Sequence, residues 1–223
     1  MKKQLLETVV RNAARRPRLW LPALVIIWCA SAAAAQGDYS RVEVFLKSVL
    51  EGEDELSVEA RGDLNGDGLE DWAGVIHRRR PDAQPTYQLY VLLRTRGGGF
   101  GVAEKSKEAP VAGAGCCWVE DLEIRRASIY IQNNAKTAST MEAATHQFKL
   151  YRGEWRLVGL RIYHTDTGSD AAASTETDMN LLTGAVIEKR QTGDGKPTTR
   201  RRRKRFPARL LRDFDFYNGF GAE

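Results

Sequence analysis

The sequence predicts a mostly β protein: a single-domain antiparallel meander, propeller-like or sandwich, with one short N-terminal helix. Three observations carry this expectation. Apolar residues recur at every second position through most of the chain after residue 70, turn-forming residues separate those runs, and a helical apolar period occurs once, near residue 45.

The first 35 residues are read as an export signal and set aside. Lys2, Lys3, Arg11, Arg15, Arg16 and Arg18 form a basic start, and an apolar run follows from Leu19 to Ala30. Ala33 and Ala35 make an A-x-A cleavage site, so the mature chain is expected to begin at Gln36 and to reside in the periplasm or outside the cell. Arg15-Arg16 suggests a twin-arginine signal, but Arg18 stands where that signal carries an aromatic, which favours the general secretory route. Cys29 follows Trp28 rather than the small residue a lipidation site needs. The alternative is a retained anchor, for which the apolar run is short.

Removing this leader changes the charge. Of 34 basic and 29 acidic residues, the segment 36–223 holds 28 of each, so the formal +5 belongs to the leader. Charge alone therefore gives no reason to expect nucleic acid as a partner. The rest is long enough for one domain with a proper core.

In residues 39–50, Val42, Phe45, Leu46, Val49 and Leu50 recur at three- and four-residue intervals and predict the helix. Strands are expected to start at Trp72 and to cover 87–93, 122–125, 128–132, 146–151, 154–163 and 184–189. Gly97-Gly98-Gly99, Asn133-Asn134 and Arg152-Gly153 are expected turns, and the last predicts a hairpin between 146–151 and 154–163. The polar stretch 165–178 is expected to be an exposed loop. The basic segment 193–205, ending in Arg200-Arg201-Arg202-Arg203-Lys204-Arg205, is expected to be flexible and solvated.

One stretch declares a chemistry. Residues 63–71 read Asp-Leu-Asn-Gly-Asp-Gly-Leu-Glu-Asp, with side-chain oxygens at Asp63, Asn65, Asp67 and Asp71. Calcium takes six to eight oxygens, and alternate residues of a tight loop can all point at it. Gly68 stands at the sixth position, where the loop turns sharply, and Leu69 at the seventh would offer its carbonyl. Three carboxylates in one small volume repel each other until a cation arrives. The twelfth position departs from an EF-hand: Gly74 stands where a bidentate Glu belongs, so Asp71 is expected to supply the closing carboxylate. The competing reading is a bare Asn-Gly/Asp-Gly turn that binds nothing.

This D-x-N-x-D-G-x-x-D loop running into a strand resembles the calcium loops of FG-GAP and VCBS repeats in β-propeller proteins. Further on, Phe148-Lys-Leu-Tyr-Arg-Gly-Glu-Trp-Arg-Leu-Val-Gly159, Asn180-Leu-Leu-Thr-Gly184 and the Asp213 to Phe216 stretch resemble small exported bacterial proteins that carry a single such loop. The group is largely without assigned activity. It includes periplasmic immunity proteins that block cell-wall hydrolases from rival bacteria, so the resemblance implies a secreted hydrolase as a partner.

No catalytic set is legible. His77, His146 and His164 are read as ordinary strand-end histidines, with no G-x-S-x-G elbow and no paired-histidine zinc motif. Cys116 and Cys117 lack a third ligand at zinc spacing. Two thiols with one buried, a vicinal bridge, or pairing between chains all remain open for them. The expectation is an exported, calcium-binding β protein in which the metal is structural, without enzyme activity and without a membrane span once the leader is gone. The alternative is an inhibitor or immunity protein that binds a cell-wall hydrolase.

Overall fold

The computed structural model describes residues 38–81, 83–110, 117–166, 173–193 and 195–216, and these form thirteen strands, one α-helix and one 3-10 turn, Leu211–Asp213. The expected export signal, Cys116 and residues 167–172 lie outside these. The first sheet contains β1 (Asp38–Tyr39), β2 (Glu55–Gly62), β3 (Asp71–Arg78), β4 (Thr86–Arg94), β5 (Phe100–Lys105) and β6 (Ala109–Pro110). Its order is β1-β5-β4-β3-β2, with β6 also paired to β4. The second is an unbroken meander, every strand paired with its chain neighbour. It comprises β7 (Cys117–Arg125), β8 (Ser128–Lys136), β9 (Thr140–Tyr151), β10 (Glu154–Asp166), β11 (Ser174–Asn180), β12 (Ala185–Gln191) and β13 (Thr198–Arg203). All pairings are antiparallel. The mostly-β prediction and the single helix, α1 (Val42–Val49), are as expected.

Burial explains the layering. Successive side chains of a strand face opposite sides, and β3 and β4 are buried on both. Ala73, Val75, Leu89 and Val91 meet Val119, Leu122, Ile129, Ile131, Phe148 and Leu157 of the second sheet in one core. On the other face of β3 and β4, Trp72, Ile76, Tyr90 and Leu92 receive Val42 and Phe45 of α1. Phe45 stands edge-on to Trp72 and Tyr90, with ring centroids 5.8 and 5.2 Å away. Such pairs add about 0.5–1.5 kcal/mol each beyond their buried area. Two sheets sharing one core is the sandwich form of the two arrangements expected. The terminal Asp/Phe stretch fills the space between them: Leu211, Phe214 and Phe216 are all buried in the shared core.

The strand spanning Glu55–Gly62 was not foreseen. A bulge between Leu56 and Val58 explains the weak pattern. Leu56 packs on the helix side, whereas Val58 and Ala60 pack on the inter-sheet side, so alternation breaks within one short strand.

Four other expectations are corrected. Asn133-Asn134 is no turn: both lie within β8 and are buried, because β8 is hydrogen-bonded on both edges, to β7 and β9. Tertiary pairing overrides their turn preference. The expected loop 165–178 is partly strand, since β10 runs on to Asp166 and β11 starts at Ser174, with Thr165 facing Ser174. Of the basic segment, Thr198–Arg203 is the last strand of the second sheet rather than a loop. The strand expected from 184 begins at Ala185, after a turn in which Asn180 Oδ1 accepts the N–H groups of Leu182 and Thr183 at 3.1 and 2.9 Å.

The expected hairpin is present, Tyr151 facing Glu154 across Arg152 and Gly153. The preceding hairpin turns on Arg126 and Ala127, at φ 51° and 52°. A two-residue turn of this kind favours Asn-Gly, and ordinary residues are strained there. Replacing Arg126-Ala127 with Asn-Gly is therefore expected to stabilise the protein by about 1 kcal/mol in urea unfolding.

Candidate functional site: the 63–71 loop

The loop joins β2 to β3 and is organised from within by its short polar side chains. Asp63 accepts the N–H of Gly66 on Oδ1 at 2.7 Å and that of Gly68 on Oδ2 at 3.0 Å. Asn65 Oδ1 accepts from the Asp67 N–H, and Asp67 Oδ1 from the Leu69 N–H, each at 2.9 Å. These are successive Asx turns, the local bonds that Asp and Asn offer a chain leaving a strand. Gly66 and Gly68 sit at φ 81° and 80°, where a Cβ would be strained although nothing crowds it. Gly68 thus makes the sharp turn expected of the sixth position.

Two anchors fix the loop to the fold. Leu64, almost fully buried, inserts into the inter-sheet core. Asp71 is buried at the start of β3, accepting the Leu64 N–H on Oδ2 and the Arg94 N–H on Oδ1, both at 2.8 Å. One carboxylate therefore ties the loop's entry to the end of β4. Asn65, Asp67 and Glu70 stay exposed, and Glu70 pairs with Arg61 at 3.7 Å.

The electrostatics differ at the two ends. The N–H groups of Gly68 and Gly66 hold the Asp63 carboxyl below its ordinary value. Burial pushes the Asp71 carboxyl up, against its two N–H donors, and the charges of Asp67 and Asp63 push it further. Asp71 thus lies within reach of the charges of Asp67 and Asp63. Asn65 Nδ2 donates to Asp67 Oδ2 at 3.1 Å, so these two side chains already meet.

Among the described residues, no group of three or more His, Cys, Asp or Glu side chains is gathered as for a metal ion. The donors nevertheless suit a hard cation. Each carboxylate oxygen keeps a lone pair after accepting one N–H, and Asp63, Asn65, Asp67, Asp71 and the Leu69 carbonyl are all oxygen donors on one loop. Gly74, at the twelfth EF-hand position, lies in β3, where an added Cβ would run into the Trp72 ring. A glutamate cannot stand there, which accounts for the departure from that motif.

The chain matches no protein-family model, no curated protein and no solved structure. Fold and loop define its class no further than a two-sheet antiparallel β protein with an acidic Asx-turn loop.

The histidines are dispersed. His77 stacks on Tyr87 with centroids 4.6 Å apart, and His164 lies 3.6 Å from Glu142, both near strand ends as expected. His146 differs: it is fully buried in mid-β9 against Phe214, because its position faces the inter-sheet core. Cys117, half-buried, opens β7. No helix of the described residues is long and apolar enough to cross a membrane.

A buried polar network escaped the sequence reading. The Arg78 guanidinium reaches Val49 O, Asp54 Oδ2, Gln88 Oε1 and Tyr90 Oη at 3.0, 2.8, 3.2 and 2.9 Å. Its only sequence signal is an arginine closing the strand that holds the apolar run 72–76.

Proposed function

We propose that residues 63–71 bind calcium and that the ion acts structurally, clamping the β2–β3 connection of an exported β protein. The observation that carries this reading is the placement of Asp71. A buried carboxylate, raised in pKa and facing the charges of Asp63 and Asp67, is held at the rim of an oxygen-rich loop. Asp71 anchors the loop through Leu64 and Arg94, and its negative charge and remaining lone pairs are what that anchoring leaves for a cation. Asp63, Asn65, Asp67 and Asp71 would hold the ion with the Leu69 carbonyl, and the cation would supply charge neutralisation. The reading assigns the loop no catalytic step.

Extracellular-type sites bind with Kd of about 10⁻⁴ to 10⁻³ M. At about ten times Kd, linkage adds about 1.4 kcal/mol, and the melting temperature is expected to rise by about 3–6 °C over protein in chelator. Asp67→Asn is the companion variant. Asp67 is exposed, so the chelated protein should change by less than about 0.5 kcal/mol, while its response to calcium shrinks because the loop keeps an amide oxygen but loses one of three negative charges. Equal melting temperatures of the unmodified protein with calcium and with chelator would remove the proposal.

A further inference from the structure

We infer that β13 is a docking edge that accepts an extended acidic segment of a partner protein as an added strand. It is the last strand of the second sheet, and Thr198–Arg203 are exposed throughout. The Lys204 N–H donates to the Gly184 carbonyl at 2.9 Å, and Arg203 stands opposite Ala185. Bonded and non-bonded pairs alternate along an antiparallel ladder. The backbone groups of Arg200 and Arg202 therefore point at β12, and those of Thr199, Arg201 and Arg203 point outward.

Cations line both faces of that edge. Arg200 and Arg202 share the face of Glu188 and Val186, while Arg201 and Arg203 share the face of Ile187 and Ala185. Among the described residues Arg202 pairs with Glu188 at 3.9 Å, whereas Arg200, although opposite Glu188, and Arg201, Arg203, Lys204 and Arg205 make no ion pair. Edge strands commonly carry charge to prevent pairing with copies of themselves. Four consecutive like charges do that, and they also select an acidic strand, because each added residue faces an arginine on the same face. A flat anionic surface pressed on one face of the sheet meets half of them; a strand paired at the edge meets all.

A recess of about 380 Å³ lies at the end of this edge, lined by Leu181, Leu182, Gly184, Arg203, Lys204 and Phe206. Leu182 is 49% exposed there, an apolar side chain left beside the cations. A strand added antiparallel reaches this recess with its N-terminal end, so the occupant is an acidic extended segment preceded by an apolar residue, recognised by strand addition.

The test uses the full chain and a short labelled peptide in which a leucine precedes four consecutive glutamates. A second peptide carries an N-methyl group on every glutamate nitrogen, which keeps the charge and removes the N–H donors of the ladder. The first is expected to bind, the second at least about ten-fold more weakly. R201E/R203E, altered only at exposed positions, should lose the acidic peptide by at least about ten-fold and keep its melting temperature. Chelator should leave peptide binding unchanged, which separates this inference from the calcium loop. Equal binding of the N-methylated peptide, no binding of either peptide, or displacement of the first by vesicles of anionic phospholipid would each overturn it.

Discussion

Arg78→Leu is expected to lower the unfolding free energy by about 3–5 kcal/mol, the cost of removing one partner from a buried ion pair. Arg78 holds Asp54, whose side chain is only 2% exposed, at 2.8 Å, and without the guanidinium that carboxylate keeps the N–H groups of Glu51 and Arg79 but has lost its counter-charge. The same fork also caps α1 by donating to Val49 O, and it donates to Tyr90 Oη, which itself donates to Gln88 Oε1. Lysine offers one ammonium in place of the fork, so Arg78→Lys should recover part of the loss and no more. Arg79→Leu is the control. Its pair with Glu55, at 2.6 Å, is about half exposed on both sides, and exposed pairs contribute about 0–1 kcal/mol. Denaturant unfolding of the three variants checks the order; a loss from Arg78→Leu no larger than the control's would show that the network is not holding helix to sheet.

Asp71→Ala is expected to cost about 2–5 kcal/mol in the absence of metal, and to abolish the calcium response as well. The variant leaves the N–H groups of Leu64 and Arg94 without an acceptor in a buried place, at about 1–3 kcal/mol each. Asp71→Asn keeps one acceptor but turns an NH₂ toward the second N–H, so it too should destabilise. The pH dependence has a definite sign. The folded state holds the Asp71 proton more tightly than the unfolded state does, because its carboxyl is raised above 3.8. In metal-free protein, this group's contribution therefore falls as pH rises from 3.8 through the raised value. Asp63 acts in the opposite sense: lowered from 3.8, it favours the fold above that pH, and this is lost as pH falls through its lowered value. Calcium needs the ionised Asp71, so the melting difference between calcium and chelator should shrink as pH falls through the raised value. A difference that stays constant through acid would count against Asp71 as a ligand.

The reading of the loop from sequence shows where local information suffices. Gly66, Gly68 and the Asx turns act over five residues or fewer, and backbone sterics with short side-chain bonds specify them without the rest of the chain. The second role of Asp71 was not legible, since its partner Arg94 lies 23 residues away and contributes a backbone N–H, which any residue would have. The Asn133-Asn134 misreading has the same root. Turn propensity is a weak local preference, and two flanking strands outweigh it.

The antiparallel β class, the single α-helix, the β9–β10 hairpin and the conformation of the 63–71 turn are legible from the chain alone. Each follows from residue periodicity or from contacts between near neighbours. Only the tertiary structure decided that two sheets share one core around Phe214 and Phe216, that Arg78 joins helix to sheet, and that the arginine run is an edge strand. These depend on which distant segments come to lie side by side. An exposed arginine run looks the same in a loop as at a sheet edge until β12 supplies the neighbour whose hydrogen bonds make it a strand.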